Sequence, residues 1–316
     1  MQIAVLGLNR IGLIIVEKLL DAGHEVVVWN NSNDVLDRMR IEKAEFVVSQ
    51  KLTVVHALDE LQNILRKPRV IMTSMLPGEP TETLLMQISP LVEAGDIVID
   101  SADSNFKDTQ RRFEAFEKRG VKFLGIGLAG GIHARDNGFS IMIGGNPDGF
   151  QYILPLLDSL SDPNGTYSYM GTGGAGHFVK MIHNGIENGM SQVIAEGMGV
   201  LSKSAYQLDL LDCVDAWQEG SIISSYLLDM ALDALEKDPT LSQLDGNCDQ
   251  TLIAKGTVEQ AKVENLSVPA IQQALDFQTR AGFDQTVQST FTAKLIQAMR
   301  REWNGQDENK PKEGVI

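Results

Sequence analysis

Short apolar runs alternate with amphipathic stretches through the first half of the chain. QIAVLG (2–7), EVVVWN (25–30), TVVH (53–56), RVIMTS (69–74), DIVID (96–100), VKFLGIG (121–127) and FSIMIGG (139–145) have the length and the β-branched content of strands. Between them, IGLIIVEKLLDAG (11–23), PTETLLMQISPLV (80–92), SNFKDTQRRFEAFEKRG (104–120) and PDGFQYILPLLDSL (147–160) repeat their apolar residues at helical spacing. This alternation predicts a parallel sheet covered by helices. After SYMGTGGAG (168–176) the pattern turns helical, with segments at 176–203, 208–220, 225–236, 250–264, 268–280 and 286–302 and hardly any strand signal. The expected organisation is an α/β domain over 1–173 and an all-α domain over 174–316. The second ends in a polar, mobile tail, GQDENKPKEGVI.

Composition narrows the function. At 316 residues, 43% hydrophobic and 22% charged, the chain has the make-up of an ordinary globular protein with a sizeable core. A net charge of −15 argues against nucleic acid and anionic membrane partners, so an anionic substrate needs a local basic pocket. Cys213 and Cys248 form no CxxC motif, which fits a reducing compartment. With no apolar run near the roughly 20 residues of a membrane span and no basic leader, a cytoplasmic location is expected.

The first strand leads into Gly7-Leu8-Asn9-Arg10-Ile11-Gly12, then a helix and a second strand, all within thirty residues. That is the context of a Rossmann-type dinucleotide-binding turn: Gly7 for the tight turn, Gly12 for helix–strand packing, and a helix N-terminus for the pyrophosphate. Asn9 stands where a middle glycine is usual, and asparagine tolerates left-handed backbone better than other residues. The second strand ends in Asn30-Asn31-Ser32. An acidic residue there would repel a 2′-phosphate, so Asn30 leans the cofactor towards NADP rather than NAD. No arginine follows directly, and Arg38 and Arg40 are the nearest substitutes. Met75, Leu76 and Pro77, after the fourth strand, complete the expected cofactor set.

The long helical segment GAGHFVKMIHNGIENGMSQVIAEG (174–197) places Lys180, His183, Asn184 and Glu187 at i, i+3, i+4 and i+7. At about 100° per residue the four share roughly a third of the helix circumference. Val179, Ile182, Ile186 and Val193 mark the other face. An amphipathic surface helix would show this pattern; so would a row of titratable groups facing a cleft. Gly185 and Gly189 favour the second by allowing another backbone to approach.

With DSADSNFKDTQRR (100–112), GLAGGIHARDNGFSIMIGG (127–145), WQEGSIISSYLLD (217–229) and VPAIQQAL (268–275), in this order, KMIHNGIE makes the chain resemble the decarboxylating 6-phosphogluconate dehydrogenases. The likeness is to their short bacterial form, within the wider β-hydroxyacid dehydrogenase group, and runs from residue 2 to about 302. It implies that Lys180 is the general base on the carbon-3 hydroxyl while hydride leaves for the nicotinamide. Carbon dioxide is then lost, and Glu187 protonates the enediol. It also implies that His183 and Asn184 hold substrate hydroxyls and the developing oxyanion, with Ser104, Asp103, Gly130, Gly131, Asn188 and Arg280 completing the substrate site. A lysine acts as base only in its neutral form, which burial or a nearby positive charge favours.

Departures from the family pattern cluster at the substrate. D-G-G-N-S becomes Asp100-Ser101-Ala102-Asp103-Ser104, and Ser-Gly-Gly becomes Ala129-Gly130-Gly131. Asn188 replaces a phosphate-binding tyrosine. Gln278 replaces a phosphate-binding arginine, with Arg280 two residues on as a substitute. Ser224 and Ser225 lie where an arginine is common, Lys255 falls at a different basic position from the family's K-G-T lysine, and the Gly-Gly-His ending is absent. Three functions follow. The first is NAD(P)-dependent oxidative decarboxylation of 6-phosphogluconate to ribulose 5-phosphate and carbon dioxide, as in the pentose phosphate pathway. The second is a paralogous dehydrogenase of a different 3-hydroxy acid, phosphorylated or not. The third is a catalytically weak dinucleotide-binding sensor or interaction protein. No metal is expected, and the long apolar helices predict a homodimer. His133 reads as a loop residue, His177 as structural, and Lys107, Arg111 and Arg112 as solvated charges.

Overall fold

The computed structural model describes residues 1–248 and 252–305. Its first unit, Met1–Met181, is built on eight strands: β1 (Gln2–Leu6), β2 (Glu25–Trp29), β3 (Leu52–Val54), β4 (Val70–Thr73), β5 (Ile97–Asp100), β6 (Lys122–Ala129), β7 (Ser140–Gly145) and β8 (Thr166–Gly171). They lie in the order β3-β2-β1-β4-β5-β6-β7-β8. Alternate residues of the central strands serve two cores. Ile3, Val5, Val26, Val28, Ile97 and Ile99 join one cluster, whereas Ala4, Leu6, Val27, Ile71 and Val98 join another. A sheet apolar on both faces needs helices on both faces. Helix α1 (Arg10–Asp21) buries Ile14, Ile15, Leu19 and Leu20 in the first cluster. Helix α2 (Glu79–Ile88) puts Leu84, Leu85 and Ile88 in the second, and α3 (Phe106–Glu117) adds Phe116.

The sheet departs from the sequence expectation twice. β7 runs antiparallel to β6, because the ten-residue link 130–139 is too short for the crossover that parallel neighbours require. β8 carried no apolar run. It is an edge strand of alternating exposed and half-buried residues, held by Tyr169, whose hydroxyl donates to Gly145 O at 2.7 Å. The segment 33–48, left unassigned by periodicity, forms the short helices Asn33–Glu42 and Ala44–Val48.

The second unit, Ile182–Ile316, is helical where described. Helix α4 (Ala175–Ser202) begins in the first unit and continues into the second. It is followed by α5 (Leu210–Gln218), α6 (Tyr226–Lys237), α7 (Leu252–Val263), α8 (Pro269–Ala281) and α9 (Phe291–Asn304). Their shared core holds Ala195, Met198, Val214, Leu228, Ala231, Leu235, Leu295, Ile296 and Met299. The expected mobile tail lies, from residue 306 on, outside the described residues. Among the described residues no helix is long and apolar enough to cross a membrane, and no group of three His, Cys, Asp or Glu could hold a metal ion.

Candidate active site

In the first unit, β1 is followed by Gly7 with φ +104°, and a Cβ there would lie 2.2 Å from Ser74 O. Asn9 is not left-handed: its backbone is extended (φ −68°) and it caps α1. Its Oδ1 accepts from Gly12 N–H at 2.8 Å and its Nδ2 donates to Ser74 O at 3.0 Å. A cap that also ties the turn to the segment after β4 explains asparagine here better than backbone tolerance does. Asn30 Oδ1 accepts from Leu8 N–H at 3.0 Å, which fixes the amide with its uncharged N–H donors available to a ligand. Leu8 is buried, Ile11 and Ser32 are half-buried, and Arg10, Asn31, Arg38 and Arg40 are exposed. Of the segment after β4, Met75 is half-buried, Pro77 is exposed and Leu76 is 48% exposed. A glycine turn leading into the N-terminus of a helix suits a pyrophosphate.

The turn after β5 is fixed from below. Asp100, fully buried, accepts from Ala102 N–H at 3.1 Å and from Arg112 Nη1 at 2.8 Å. Ser101 Oγ donates to Thr73 O at 2.8 Å, and Ser104 Oγ accepts from Arg112 Nη1 at 3.1 Å. Arg112 is therefore no solvated charge: it is 4% exposed and also donates through Nε to Glu82 at 2.9 Å. Arg111, which is exposed, grips the same carboxylate at 3.0 and 2.8 Å. The hydrogen bonds from Arg111 and Arg112 push Glu82 down to about 2. Lys107 is exposed, with Nζ 5.7 Å from the Phe106 ring centre. Asp103 is exposed between the buried Ala102 and Ser104. Ala129, the last residue of β6, is buried, and Gly130 (φ +127°) and Gly131 (φ +54°) then turn the chain.

Helix α4 is inverted in polarity. His177, Lys180, Asn184, Asn188 and Gln192 are all at most 7% exposed, whereas Ile186, Met190, Val193 and Val200 are 41–72% exposed. His177 is structural, as expected: Nε2 donates to Ile126 O (3.1 Å) and Nδ1 meets Thr109 Oγ1 (2.7 Å). Lys180 packs on β6, where a Cβ at Gly127 would lie 2.3 Å from Lys180 Cβ. His183 Nδ1 lies 3.4 Å from Asn184 Oδ1 and 3.7 Å from Glu187 Oε2, so His183 links two other members of the row. The glycines act differently from expectation. Gly185 admits the Thr257 side chain rather than a backbone, and the nearest atom to a Cβ at Gly189 would be 4.0 Å away.

In the second unit, Asn188 and Gln278, 5% and 2% exposed, meet over a residue that the sequence pattern did not single out. Arg300 Nη2 donates to Asn188 Oδ1 at 3.1 Å and to Gln278 Oε1, while Nη1 donates to Cys248 O. Asn188 Nδ2 and Gln278 Nε2 have no hydrogen-bond partner among the described residues. Arg280 is not brought to them; it is exposed and pairs with Asp284 at 3.3 Å. Arg300 had only the signal of a basic residue late in an amphipathic helix. Its partners lie 112 and 22 residues away in sequence.

Comparison with known proteins matches this arrangement. The profile of the NAD binding domain of 6-phosphogluconate dehydrogenase covers residues 2–171, and that of the enzyme's C-terminal domain covers 176–205. YqeC of Bacillus subtilis, assigned by name to these dehydrogenases, is 32% identical over 305 residues, spanning 96% of this chain and 98% of its own. The NAD(+)-dependent, decarboxylating 6-phosphogluconate dehydrogenase of Haloferax volcanii is 31% identical over 301 residues, 95% of this chain and 96% of its own. Against the longer NAD(+)-dependent enzyme of Bacillus subtilis (33% over 241 residues, 75% of this chain), the chain spans about half the length, 50%. In fold it is similar to Plasmodium falciparum 6-phosphogluconate dehydrogenase (TM-score 0.78, 24% identity, 100% of this chain, 68% of that one). It is also similar in fold to Mycobacterium tuberculosis 3-hydroxyisobutyrate dehydrogenase (TM-score 0.68, 18% identity, 95% and 99%). Fold, glycine turn and family profiles agree: the chain belongs to the 6-phosphogluconate dehydrogenase family of NAD(P)-dependent oxidoreductases.

Proposed function

We propose that the protein oxidises the carbon-3 hydroxyl of a sugar acid and releases its carboxyl group as carbon dioxide, the reaction that turns 6-phosphogluconate into ribulose 5-phosphate. The inverted polarity of α4 carries this reading: Lys180 and Asn184 are 4% and 7% exposed while apolar residues of the same helix face outward, which is costly unless these polar groups have work to do. Lys180 takes the hydroxyl proton as the C–H bond at carbon 3 breaks. His183 and Asn184 hold the hydroxyls and the oxygen on which charge develops. The β-keto acid then loses carbon dioxide, and Glu187 delivers a proton to carbon 2 of the enediol. A dinucleotide whose pyrophosphate the Gly7–Gly12 turn would hold would supply the hydride acceptor through its nicotinamide. Asn30, offering donors and no negative charge, favours a 2′-phosphate and hence NADP.

A second reading, a non-phosphorylated 3-hydroxy acid, is favoured by the residues around Arg300. Two N–H groups of its Nη2 are committed to amide oxygens, Arg280 points elsewhere, and the donors left on Asn188 and Gln278 are neutral. A buried dianion needs more positive charge than this group holds. NAD(P)H production on 6-phosphogluconate, gluconate and small 3-hydroxy acids decides. Turnover of another acid but not the phosphorylated one selects the second reading. No turnover of any acid, with dinucleotide binding retained, overturns both in favour of a sensor. Tighter binding of NADH than NADPH, followed by nicotinamide fluorescence, reverses the NADP assignment.

The working form is a homodimer in this reading. Ile186, Met190, Val193, Gly197 and Val200 follow one another at spacings of four and three residues, and all are exposed. That is the seam with which one helix packs against another. A monomeric mass by light scattering at micromolar concentration rejects it.

A further inference from the structure

We infer that Arg112 is a positioning residue that fixes Ser104 as a hydrogen-bond donor to an oxygen of the substrate acid, and that it joins the turn after β5 to the start of α2. The inference rests on the reading of this turn as part of a sugar-acid site. The geometry carries it. One guanidinium reaches three segments: Nε meets Glu82 on α2 at 2.9 Å, and Nη1 meets Asp100 at the end of β5 at 2.8 Å and Ser104 in the turn at 3.1 Å. Neutralising a buried arginine requires only the carboxylates of Asp100 and Glu82. The third bond, to a neutral hydroxyl, does nothing for charge balance, but it determines what the hydroxyl can do.

An arginine N–H can only donate, so Ser104 Oγ accepts, and the serine's own hydrogen is left for another acceptor. Among the described residues it has none, although Ser104 is 6% exposed. A buried O–H without an acceptor in the protein is suited to a carboxylate or hydroxyl oxygen of a ligand. The remaining bonds make the position precise in space. Asp100 Oδ1 holds Ala102 N–H, Ser101 is tied to Thr73 O, and Arg111 clasps both carboxylate oxygens of Glu82. Glu82 lies one turn into α2, directly beyond the segment 75–77 expected to meet the cofactor. The same guanidinium thereby sets the substrate turn relative to that segment. Lysine cannot replace it, since a single ammonium lacks the planar fork that serves Glu82 on one side and Asp100 and Ser104 on the other.

The test uses the full-length protein and the best acid substrate. Arg112→Lys is expected to speed amide hydrogen exchange at residues 101–105 at least tenfold and to raise KM for the acid at least tenfold. kcat should fall less than threefold and the NADPH Kd should change less than threefold. A merely structural role would lower kcat, cofactor binding and thermal stability together. Ser104→Ala, which leaves the charge cluster whole, should raise KM similarly with exchange unchanged, and the double variant should be no worse than Arg112→Lys within twofold. Unchanged exchange or KM in Arg112→Lys overturns the inference, as do KM effects of the two substitutions that multiply. If Arg112→Lys does not fold, an unchanged KM in Ser104→Ala overturns it and a tenfold rise supports it. If the parent turns over no acid, the proposed reaction fails by itself, and exchange at 101–105 still decides for or against Arg112.

Discussion

Replacing Gly127 with alanine tests whether the place of Lys180 on β6 matters to catalysis. The glycine has ordinary strand torsions, so the methyl group adds no backbone strain and the perturbation is purely steric. The added Cβ would lie 2.3 Å from Lys180 Cβ and 2.7 Å from Cγ, where ordinary contact begins at 3.4 Å. Lys180 and the first turns of α4 must therefore retreat by about 1 Å, and a displacement of that size near reacting groups costs on the order of 100-fold in rate. That is about 2.7 kcal/mol of transition-state stabilisation. Overpacking adds about 1–3 kcal/mol of lost stability. Steady-state kcat/KM on the best acid, with the NADPH Kd and Tm as controls, reads the effect. We expect kcat/KM to fall about 100-fold while the NADPH Kd stays within twofold, because the Gly7 turn is untouched. A variant within threefold of the parent would show that the position of Lys180 does not govern the chemistry.

Three further outcomes follow from other parts of the molecule. Lys180→Met should lower turnover by roughly 10³-fold or more while sparing NADPH binding, and activity within tenfold of the parent removes Lys180 from the role of base. Arg300→Gln should raise KM for the acid about tenfold without changing the NADPH Kd. It should also lower Tm, because the buried oxygens of Asn188 and Gln278 lose their donor at about 1–3 kcal/mol each; an unchanged KM separates this trio from the substrate. Glu82, held at about 2 against an ordinary 4.5, contributes stability that is present above pH 4.5 and disappears as pH falls towards 2. The Tm difference between the parent and Glu82→Gln should shrink from pH 6 to pH 2.5, and a constant difference refutes the pairing.

Much of the fold was legible because it follows from local geometry. Strands buried on both faces must be continuous apolar runs, which is why β1 to β7 were visible while the half-exposed β8, with its alternating tyrosines, was not. The antiparallel turn of β7 depends on the length of a link, a subtler signal than hydrophobicity. In the site, the row Lys180, His183, Asn184 and Glu187 was readable from the helical repeat, but its environment was not. The spacing left open which face was buried, and only packing showed the apolar face outside.

What the sequence by itself determined is what a few adjacent residues dictate through backbone torsions: the strand–turn–helix at Gly7, the alternation of strand and helix, and the register of the α4 row. Tertiary structure alone decided which charges are buried and what they hold. Arg112, read as a solvated surface charge, lies under the turn after β5 with Asp100, Ser104 and Glu82. Arg300 and Asn188 meet across 112 residues of chain. Such partners leave no periodic trace, because a hydrogen bond between distant segments constrains only the packed geometry and not the order of residues along the chain.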